Sequence, residues 1–294
     1  MSEKKAAASS MLMTTLTISA TTIPTFSSRK SRGRQIFLHH GLEITRRTKF
    51  SNNDITIKIN VDGYEVEESE SERLLGVIIN NTMTWEHHLY GNDENKGLIP
   101  KLSQRSKIIW KLSLIMPQKR LKMISEGIFF SLLNYCIEIY GNVWGLDTYD
   151  DQARKNSAFT KEDNTKLQII MNNVLRSLTG LDRETPVTTL HNTSGQLSVH
   201  QRCAFYTITS VHKAIRQKQP AYSFSKLQPN PASHTMRNAS RVEYKLSISR
   251  GSYYYRGSRL YNQLPDSLTQ SVKQSVFKKE AKKWVLKNIP VLPP

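Results

Sequence analysis

The spacing of apolar residues changes near residue 97, and this change constrains the fold more than any other feature of the sequence. Before it, residues 55–61 alternate between apolar and polar types, which is the pattern of a half-buried strand, and Asp62-Gly63 then predicts the turn of a β-hairpin. After it, apolar residues recur every three or four positions, which is the period of an amphipathic helix. We therefore expect a mainly α fold, a helical bundle with a small N-terminal β-hairpin or sheet edge.

Five or six helices are predicted after this change. The first covers 101–116, and the second begins at Pro117, a residue suited to the first turn of a helix, and runs to Tyr140. The second helix carries one apolar stripe, made of Leu121, Ile124, Ile128, Leu132, Cys136 and Ile139. Further helices are predicted over 164–180 (with Asn164 as N-cap), 185–195, 198–217 and 271–288. The apolar run 73–79 is interpreted as one buried strand, and the Pro-, Ser- and Asn-rich stretch 219–250 as extended or irregular chain.

The charge of the chain indicates a polyanionic partner. Its formal net charge is +18 at pH 7. Lys and Arg side chains that neutralise phosphates release counterions, which favours nucleic acid as the partner. An anionic membrane surface and a merely solvated basic surface are the alternatives.

The two cysteines, Cys136 and Cys203, both lie in apolar helix-like stretches, which argues against a disulfide scaffold and for a reducing compartment. No apolar run is long enough for a membrane span. We therefore expect a nuclear or cytoplasmic protein that is neither secreted nor membrane-embedded. The Ser/Thr-rich start is interpreted as disordered, with an organelle transit peptide as the alternative.

A set of catalytic residues is not found in the sequence. The one adjacent aspartate pair, Asp150-Asp151, directly follows Tyr149, whereas a polymerase signature has one residue between the aromatic residue and the aspartates. His200 and Cys203 share a helix face, but a zinc site needs four ligands. We therefore predict no catalytic residue, no metal site and no cofactor in this chain.

Two groups of side chains are candidates for nucleic-acid binding. Lys101, Arg105 and Lys107 are expected on the exposed face of a helix beside Trp110. The segment "YYYRGSR" places aromatic rings next to guanidinium groups, which suits base stacking combined with phosphate contacts. Its candidates are Tyr254, Arg256 and Arg259. The alternatives are a solvated helix face for the first group and packing on the last helix for the second.

Several motifs, in order along the chain, resemble the C-terminal part of the reverse transcriptase of non-LTR (LINE-type) retrotransposons. "RLLGVIINNTMTWEHHL" is similar to that family's Leu-Gly segment, "YGNVWG" to the end of its thumb, and "KLQIIMNNVLRSLTGL" to a later helix. "LYNQLPDSL" followed by "VFKKEAKKW" is similar to its closing region, although Tyr261 stands where tryptophan is more usual. The likeness covers about residues 45 to 290.

The resemblance implies a thumb-like helical bundle that binds RNA, DNA or an RNA–DNA duplex through phosphate contacts. It also implies a primer-grip-like hairpin at Leu75, Gly76 and Val77, together with Trp85. The full family enzyme uses Mg²⁺ held by palm carboxylates. In the family, these carboxylates belong to an aromatic-x-Asp-Asp motif that comes before the segment corresponding to Leu75. This motif is not found in the present sequence. A separate palm and fingers polypeptide is therefore a further expected partner.

The expected organisation follows the same resemblance. Residues 1–44 form a disordered, unrelated tail, 45–97 the palm-end hairpin segment, 98–146 the thumb helices, 147–163 a linker loop and 164–294 a C-terminal helical region. The expected function is that of a truncated reverse-transcriptase-like protein that at most binds template–primer nucleic acid. The alternatives are the tail of an active reverse transcriptase whose gene extends further, and a helical protein-interaction adaptor.

Overall fold

The computed structural model describes short strand segments between residues 38 and 68, followed by residues 69–82, 84–144, 159–227, 253–271 and 273–292. The chain divides into two compact units, Met1–Glu70 and Ser71–Pro294. The fold is mainly α with a small antiparallel sheet, as predicted. Residues 1–37 and 145–158, and with them most of the predicted tail and linker and the Asp150-Asp151 pair, lie outside the described residues.

The first unit contains short paired strands. They are β1 (Leu38–His39), β2 (Leu42–Glu43), β3 (Arg47–Thr48), β4 (Ile59–Val61), β5 (Tyr64–Val66) and β6 (Glu68–Ser69). Strands β1 and β2 pair antiparallel, as do β4 and β5, whereas β3 and β6 pair parallel. Val61 pairs with Tyr64, which confirms the predicted hairpin for these strands. The expected beginning of the first strand, residues 55–58, lies outside the described residues.

The second unit begins with a tight hairpin of β7 (Ser71–Leu74) and β8 (Val77–Asn80). Its turn residues, Leu75 and Gly76, have φ angles of 47° and 89°. Two central residues with positive φ are what a type I′ hairpin turn requires. The prediction of one buried strand over 73–79 was therefore wrong, because a turn lies in the middle of that run. As a result, Leu75 is 83% exposed.

The helices of the second unit follow this hairpin. They are α1 (Glu86–Tyr90), α2 (Leu98–Ser113), α3 (Gln118–Ser125), α4 (Ser131–Asn134), α5 (Ile137–Tyr140), α6 (Lys161–Thr179), α7 (Val187–Ser194), α8 (Val199–Gln217), α9 (Ala221–Lys226), α10 (Tyr253–Asn262), α11 (Asp266–Thr269) and α12 (Gln274–Asn288). The short helix α9 corrects the expectation of irregular chain at the start of 219–250, while residues 228–250 lie outside the described part.

The helix predicted from Pro117 to Tyr140 is interrupted in two places. A π-helical turn, Glu126–Phe130, joins α3 to α4, and Cys136 adopts φ 57°, which separates α4 from α5. A π-helical turn inserts a residue into the helical repeat and so rotates the buried face. Of the predicted apolar stripe only Leu121 is fully buried. The residues that enter the core instead are Ser125, Phe129, Phe130, Leu133 and Ile137.

Helix ends agree well with local sequence signals, with one correction. Gly180 and Gly195 end α6 and α7 in the left-handed conformation, with φ 72° and 64°. Ser198 caps α8 through a capping box with Gln201. The N-cap of α6 is Thr160, not the predicted Asn164, because Thr160 and Asp163 form another capping box.

A single hydrophobic core joins the helices of the second unit. Helix α2 packs along α6, and α8 packs against α5, α10 and α12. The core includes Leu102 and Ile109 of α2, Met171 of α6, Ile208 of α8 and Phe277 of α12, each with no exposed surface. This packing holds α2, α3 and α6 in the relative positions that form the candidate site below.

Candidate nucleic-acid interface

The helical hairpin formed by α2 and α3 carries positive charge and contains no acidic residue of its own. Residues 98–125 contain no Asp or Glu and seven basic residues: Lys101, Arg105, Lys107, Lys111, Lys119, Arg120 and Lys122. Five of the seven are exposed: Lys107, Lys111, Lys119, Arg120 and Lys122. Because no carboxylate lies within this stretch, the exposed charges can act on a polyanion in solution.

The first predicted group of binding residues is only partly at the surface. Lys107 is exposed, but Lys101 and Arg105 are half-buried. The Arg105 guanidinium donates a hydrogen bond to the carbonyl oxygen of Ile128 and so links α2 to the π-helical turn. Burial, together with the positive charges of Arg73 and Arg105, lowers the pKa of Lys101. Lys107 is therefore the member of this group best placed to contact a phosphate.

An open groove of about 690 Å³ lies between α2, the start of α3 and the C-terminal end of α6, and we call it the Trp110 groove. Its lining includes cationic, polar and aromatic side chains: Ser106, Lys107, Trp110, Ser113, Gln118, Asn173, Arg176, Ser177, Asp182 and Arg183. Trp110 is 55% exposed, which is unusual for a residue that is largely buried in most proteins. The groove therefore combines an accessible indole ring with hydrogen-bonding groups and cations.

One wall of the Trp110 groove is held in place by Arg176. Its Nε donates to the carbonyl oxygen of Asp182 and its Nη2 to that of Arg183, both at 3.2 Å. Gly180 ends α6, and its N–H donates to the Arg176 carbonyl oxygen at 2.8 Å. These bonds fix residues 180–183 against the helix end. Arg183 is exposed, so its charge remains available at the rim of the groove.

The second predicted group belongs mainly to the protein interior. Arg256 is only 6% exposed, and its Nη2 donates to the Glu138 carbonyl oxygen at 2.8 Å. Burial lowers the pKa of Arg256 to about 10. A phosphate cannot reach this guanidinium, so the prediction that Arg256 contacts nucleic acid is corrected to a role in joining α10 to α5.

The neighbours of Arg256 are also engaged in packing. Tyr254 is half-buried, its ring lies 6.1 Å from that of Tyr222, and its hydroxyl lies 3.1 Å from the hydroxyl of Ser223. The guanidinium of Arg259 lies over the Tyr255 ring at 5.6 Å. These side chains are therefore engaged within the protein, but the contacts of Tyr254 are with α9, whereas the alternative interpretation expected packing on the last helix.

The primer-grip-like residues are distributed between the surface and the core. Leu75 and Gly76 form the exposed tip of the β7–β8 hairpin, whereas Val77 is buried. Trp85 precedes α1, and its ring lies 6.5 Å from that of Tyr140. The hairpin is tight, and its exposed residues, 73–76, are available to a partner.

The described residues contain no group of three or more His, Cys, Asp or Glu side chains that could hold a metal ion. His200 is engaged through both ring nitrogens, since Nε2 accepts from the Trp144 N–H at 2.9 Å and Nδ1 lies 3.1 Å from the Pro290 carbonyl oxygen. Burial raises the pKa of Cys203 to about 12, so its thiolate is strongly disfavoured. Among the described residues, no helix combines the length and the apolar composition that a membrane span requires.

Sequence reasoning missed the groove residues that come from α6 and from the loop after it: Asn173, Arg176, Ser177, Asp182 and Arg183. The Gly180 stop signal marks where the helix ends, but it does not indicate what the following loop faces. Comparisons of the chain with protein-family models, with curated proteins and with solved structures found no match in any of the three. Its function has to be inferred from its own residues.

Proposed function

We propose that this protein binds nucleic acid through the α2–α3 helical hairpin and corresponds to the primer-grip, thumb and C-terminal region of a non-LTR reverse transcriptase. The observation that carries the binding proposal is the acid-free stretch 98–125, with its five exposed cations. Their charge recognises phosphates without regard to sequence, as a thumb contacting a template–primer duplex must do. RNA, DNA and RNA–DNA duplexes are all ligands of this kind.

Catalysis is not part of the proposal. An aromatic-x-Asp-Asp box does not occur in the 294 residues, and the binding surface offers cations rather than the clustered carboxylates that two-metal phosphoryl transfer requires. A palm and fingers polypeptide that carries those carboxylates is the protein partner consistent with this assignment. Primer extension by this chain alone would contradict it.

The test of binding is the salt dependence of affinity for a labelled RNA–DNA duplex. If four or five cations contact phosphates, log affinity should fall with log salt with a slope of about −3.6 to −4.5. The double variant Lys107→Gln/Lys111→Gln should reduce the magnitude of that slope by about 1 to 2. Both side chains are exposed, so the fold should tolerate their replacement.

The matched control is Lys278→Gln/Lys279→Gln on α12, which removes the same charge from two exposed lysines outside the groove lining. It should leave the slope nearly unchanged. Equal effects of the two double variants would indicate a general response to net charge. Absent or salt-insensitive binding would overturn the proposal.

A protein-interaction adaptor is the second candidate, and exposed apolar residues favour it. Leu74 and Leu75 at the hairpin tip, and Leu114 and Ile115 after α2, each expose more than half of their surface. If this function is the main one, replacing these residues should abolish partner capture while duplex binding by the wild-type protein stays weak and insensitive to salt.

A further inference from the structure

The shape of the Trp110 groove differs from that of the basic surface beside it. The exposed cations of α3 lie on a convex helix surface, which can follow the backbone of a duplex. The groove is concave, and its volume of about 690 Å³ is in the range of small-molecule sites. A paired and stacked base cannot enter such a space, whereas a single unpaired nucleotide can.

The chemistry of the lining suits a nucleotide. Trp110 offers the face of an indole ring, and stacking on an aromatic ring is available to every base. Lys107, three residues before it on α2, and Arg183, on the opposite wall, are exposed cations that can neutralise a phosphate. Ser113, Gln118 and Asn173 add hydrogen-bonding groups for the base edges or the sugar.

Two features restrict how the nucleotide can lie. The Asp182 carboxylate also lines the groove and repels a phosphate, so the phosphate belongs toward Lys107 and Arg183. The hydrogen bonds from Arg176 to the carbonyl oxygens of Asp182 and Arg183 hold that wall in place before any ligand arrives. A preformed wall reduces the entropy cost of binding.

We infer that the Trp110 groove holds an unpaired nucleotide, with its base stacked on Trp110 and its phosphate beside Lys107 and Arg183. This inference rests on the proposed nucleic-acid binding and makes it more specific. The protein binds a duplex that carries a single-stranded extension more tightly than it binds a blunt duplex.

A lipid surface is the competing ligand, because exposed Leu114 and Ile115 follow Trp110 closely on the chain. The polar lining argues against it. Acyl chains in the groove would take the side-chain amides of Gln118 and Asn173 out of water without offering them hydrogen-bond partners, which is costly for polar groups. An extended nucleotide strand supplies such partners.

The test measures the affinity of the full-length chain for a blunt RNA–DNA duplex and for the same duplex with a single-stranded extension. The wild type should prefer the extended duplex by about tenfold, a typical stacking contribution. Trp110→Ala should remove this preference, while Trp110→Phe should retain part of it because phenylalanine still stacks. Tyr222→Ala, at an aromatic residue of α9 that is also highly exposed, is the matched control and should keep the full preference.

Tryptophan fluorescence provides a second, direct measurement. The extended duplex should quench a component of the wild-type emission that is missing from Trp110→Phe, since the other tryptophans, Trp85, Trp144 and Trp284, lie outside the groove lining. Equal binding of blunt and extended duplexes, unchanged by Trp110→Ala, would overturn the inference while leaving the proposed function intact. Binding of neither duplex would overturn both. A Trp110-dependent association with anionic vesicles that exceeds binding to the extended duplex would assign the groove to lipid and overturn the inference.

Discussion

The Tyr135 hydroxyl donates a hydrogen bond to the carbonyl oxygen of Leu75 across 60 residues of sequence. The bond joins the residue that follows α4 to the tip of the β7–β8 hairpin. A Cβ atom added at Gly76 would lie 3.4 Å from Cε1 of the same tyrosine ring. The left-handed backbone at φ 89° is therefore what favours glycine at position 76.

Gly76→Ala should destabilise the protein. At φ 89° the left-handed backbone costs an L-residue about 1–2 kcal/mol, while the added Cβ would come into van der Waals contact with the tyrosine ring. Denaturant unfolding should register this loss. Gly127→Ala is the control, since its φ is not positive and its Cβ would meet nothing within 4 Å, so it should be neutral or stabilising. A Gly76→Ala protein as stable as the wild type would contradict the turn geometry.

Leu75→Asn should have the opposite effect. It produces Asn-Gly, the pair favoured in type I′ turns, and asparagine adopts positive φ more readily than leucine. We expect a gain of about 0.5–1 kcal/mol in the free energy of unfolding. The substitution also removes a highly exposed leucine, so sedimentation should detect less self-association at high protein concentration. A loss of stability would show that Leu75 makes contacts important for folding.

The protein should lose stability as the pH falls from 7 to 5. Burial, with smaller effects of Lys101 and Arg216 respectively, lowers the pKa values of His88 and His212 to about 4. An unfolded histidine has a pKa near 6.5, so the unfolded chain binds protons first. The folded state favours the neutral imidazoles, and this contribution to the free energy of unfolding is fully present above pH 6.5. It decreases as the pH falls from 6.5 toward the folded-state pKa of about 4. At pH 5 each histidine should lower the free energy of unfolding by about 1–2 kcal/mol relative to pH 7.

Denaturant unfolding at the two pH values measures this loss. His212 stacks on Phe277 with ring centroids 3.6 Å apart, and its Nε2 atom lacks a hydrogen-bond partner within the described residues. A charge on this ring would be poorly solvated. His212→Gln should reduce the pH dependence even though it lowers stability at pH 7. Equal stability of the wild type at both pH values would refute the prediction.

Arg202→Lys should be strongly destabilising despite conserving charge. The buried guanidinium donates to the Leu197 carbonyl oxygen at 3.1 Å and to Asn134 Oδ1 at 2.9 Å, and it lies over the Phe130 ring at 4.5 Å. A lysine ammonium cannot reproduce this planar set of hydrogen bonds, so the free energy of unfolding should fall by about 2–3 kcal/mol. Arg183→Lys at the exposed groove rim is the control and should stay within about 0.5 kcal/mol.

Gly257→Ala should disrupt the packing of α10 on α8. The added Cβ would lie 2.7 Å from Cγ2 of Val211, a fully buried residue. We therefore expect the free energy of unfolding to fall by about 1–3 kcal/mol. In a Val211→Ala background the same substitution should cost less, because the clashing methyl group is gone. Additive effects in this double-mutant cycle would contradict the proposed contact.

The elements most predictable from sequence were those set by local chemistry. Gly180, Gly195 and Ser198 mark helix ends in the sequence and do so in the structure, because caps depend on backbone groups a few residues away. The face that α3 and α4 bury was not predictable. A π-helical turn shifts it toward Phe129 and Phe130, whose rings are buried in the core in place of most of the predicted stripe.

For the candidate binding residues, too, some features follow from local sequence and others depend on tertiary contacts. The sequence alone determined the mainly α class, the positive charge and its concentration in 98–125, since these depend on residue type and spacing. Tertiary structure decided that Arg256 is buried while Lys107 is exposed, and that Trp110 and Arg183 line one groove. The physical reason is that exposure and long-range proximity depend on how α2 packs along α6 and α10 along α8, and these contacts join residues that no local pattern links.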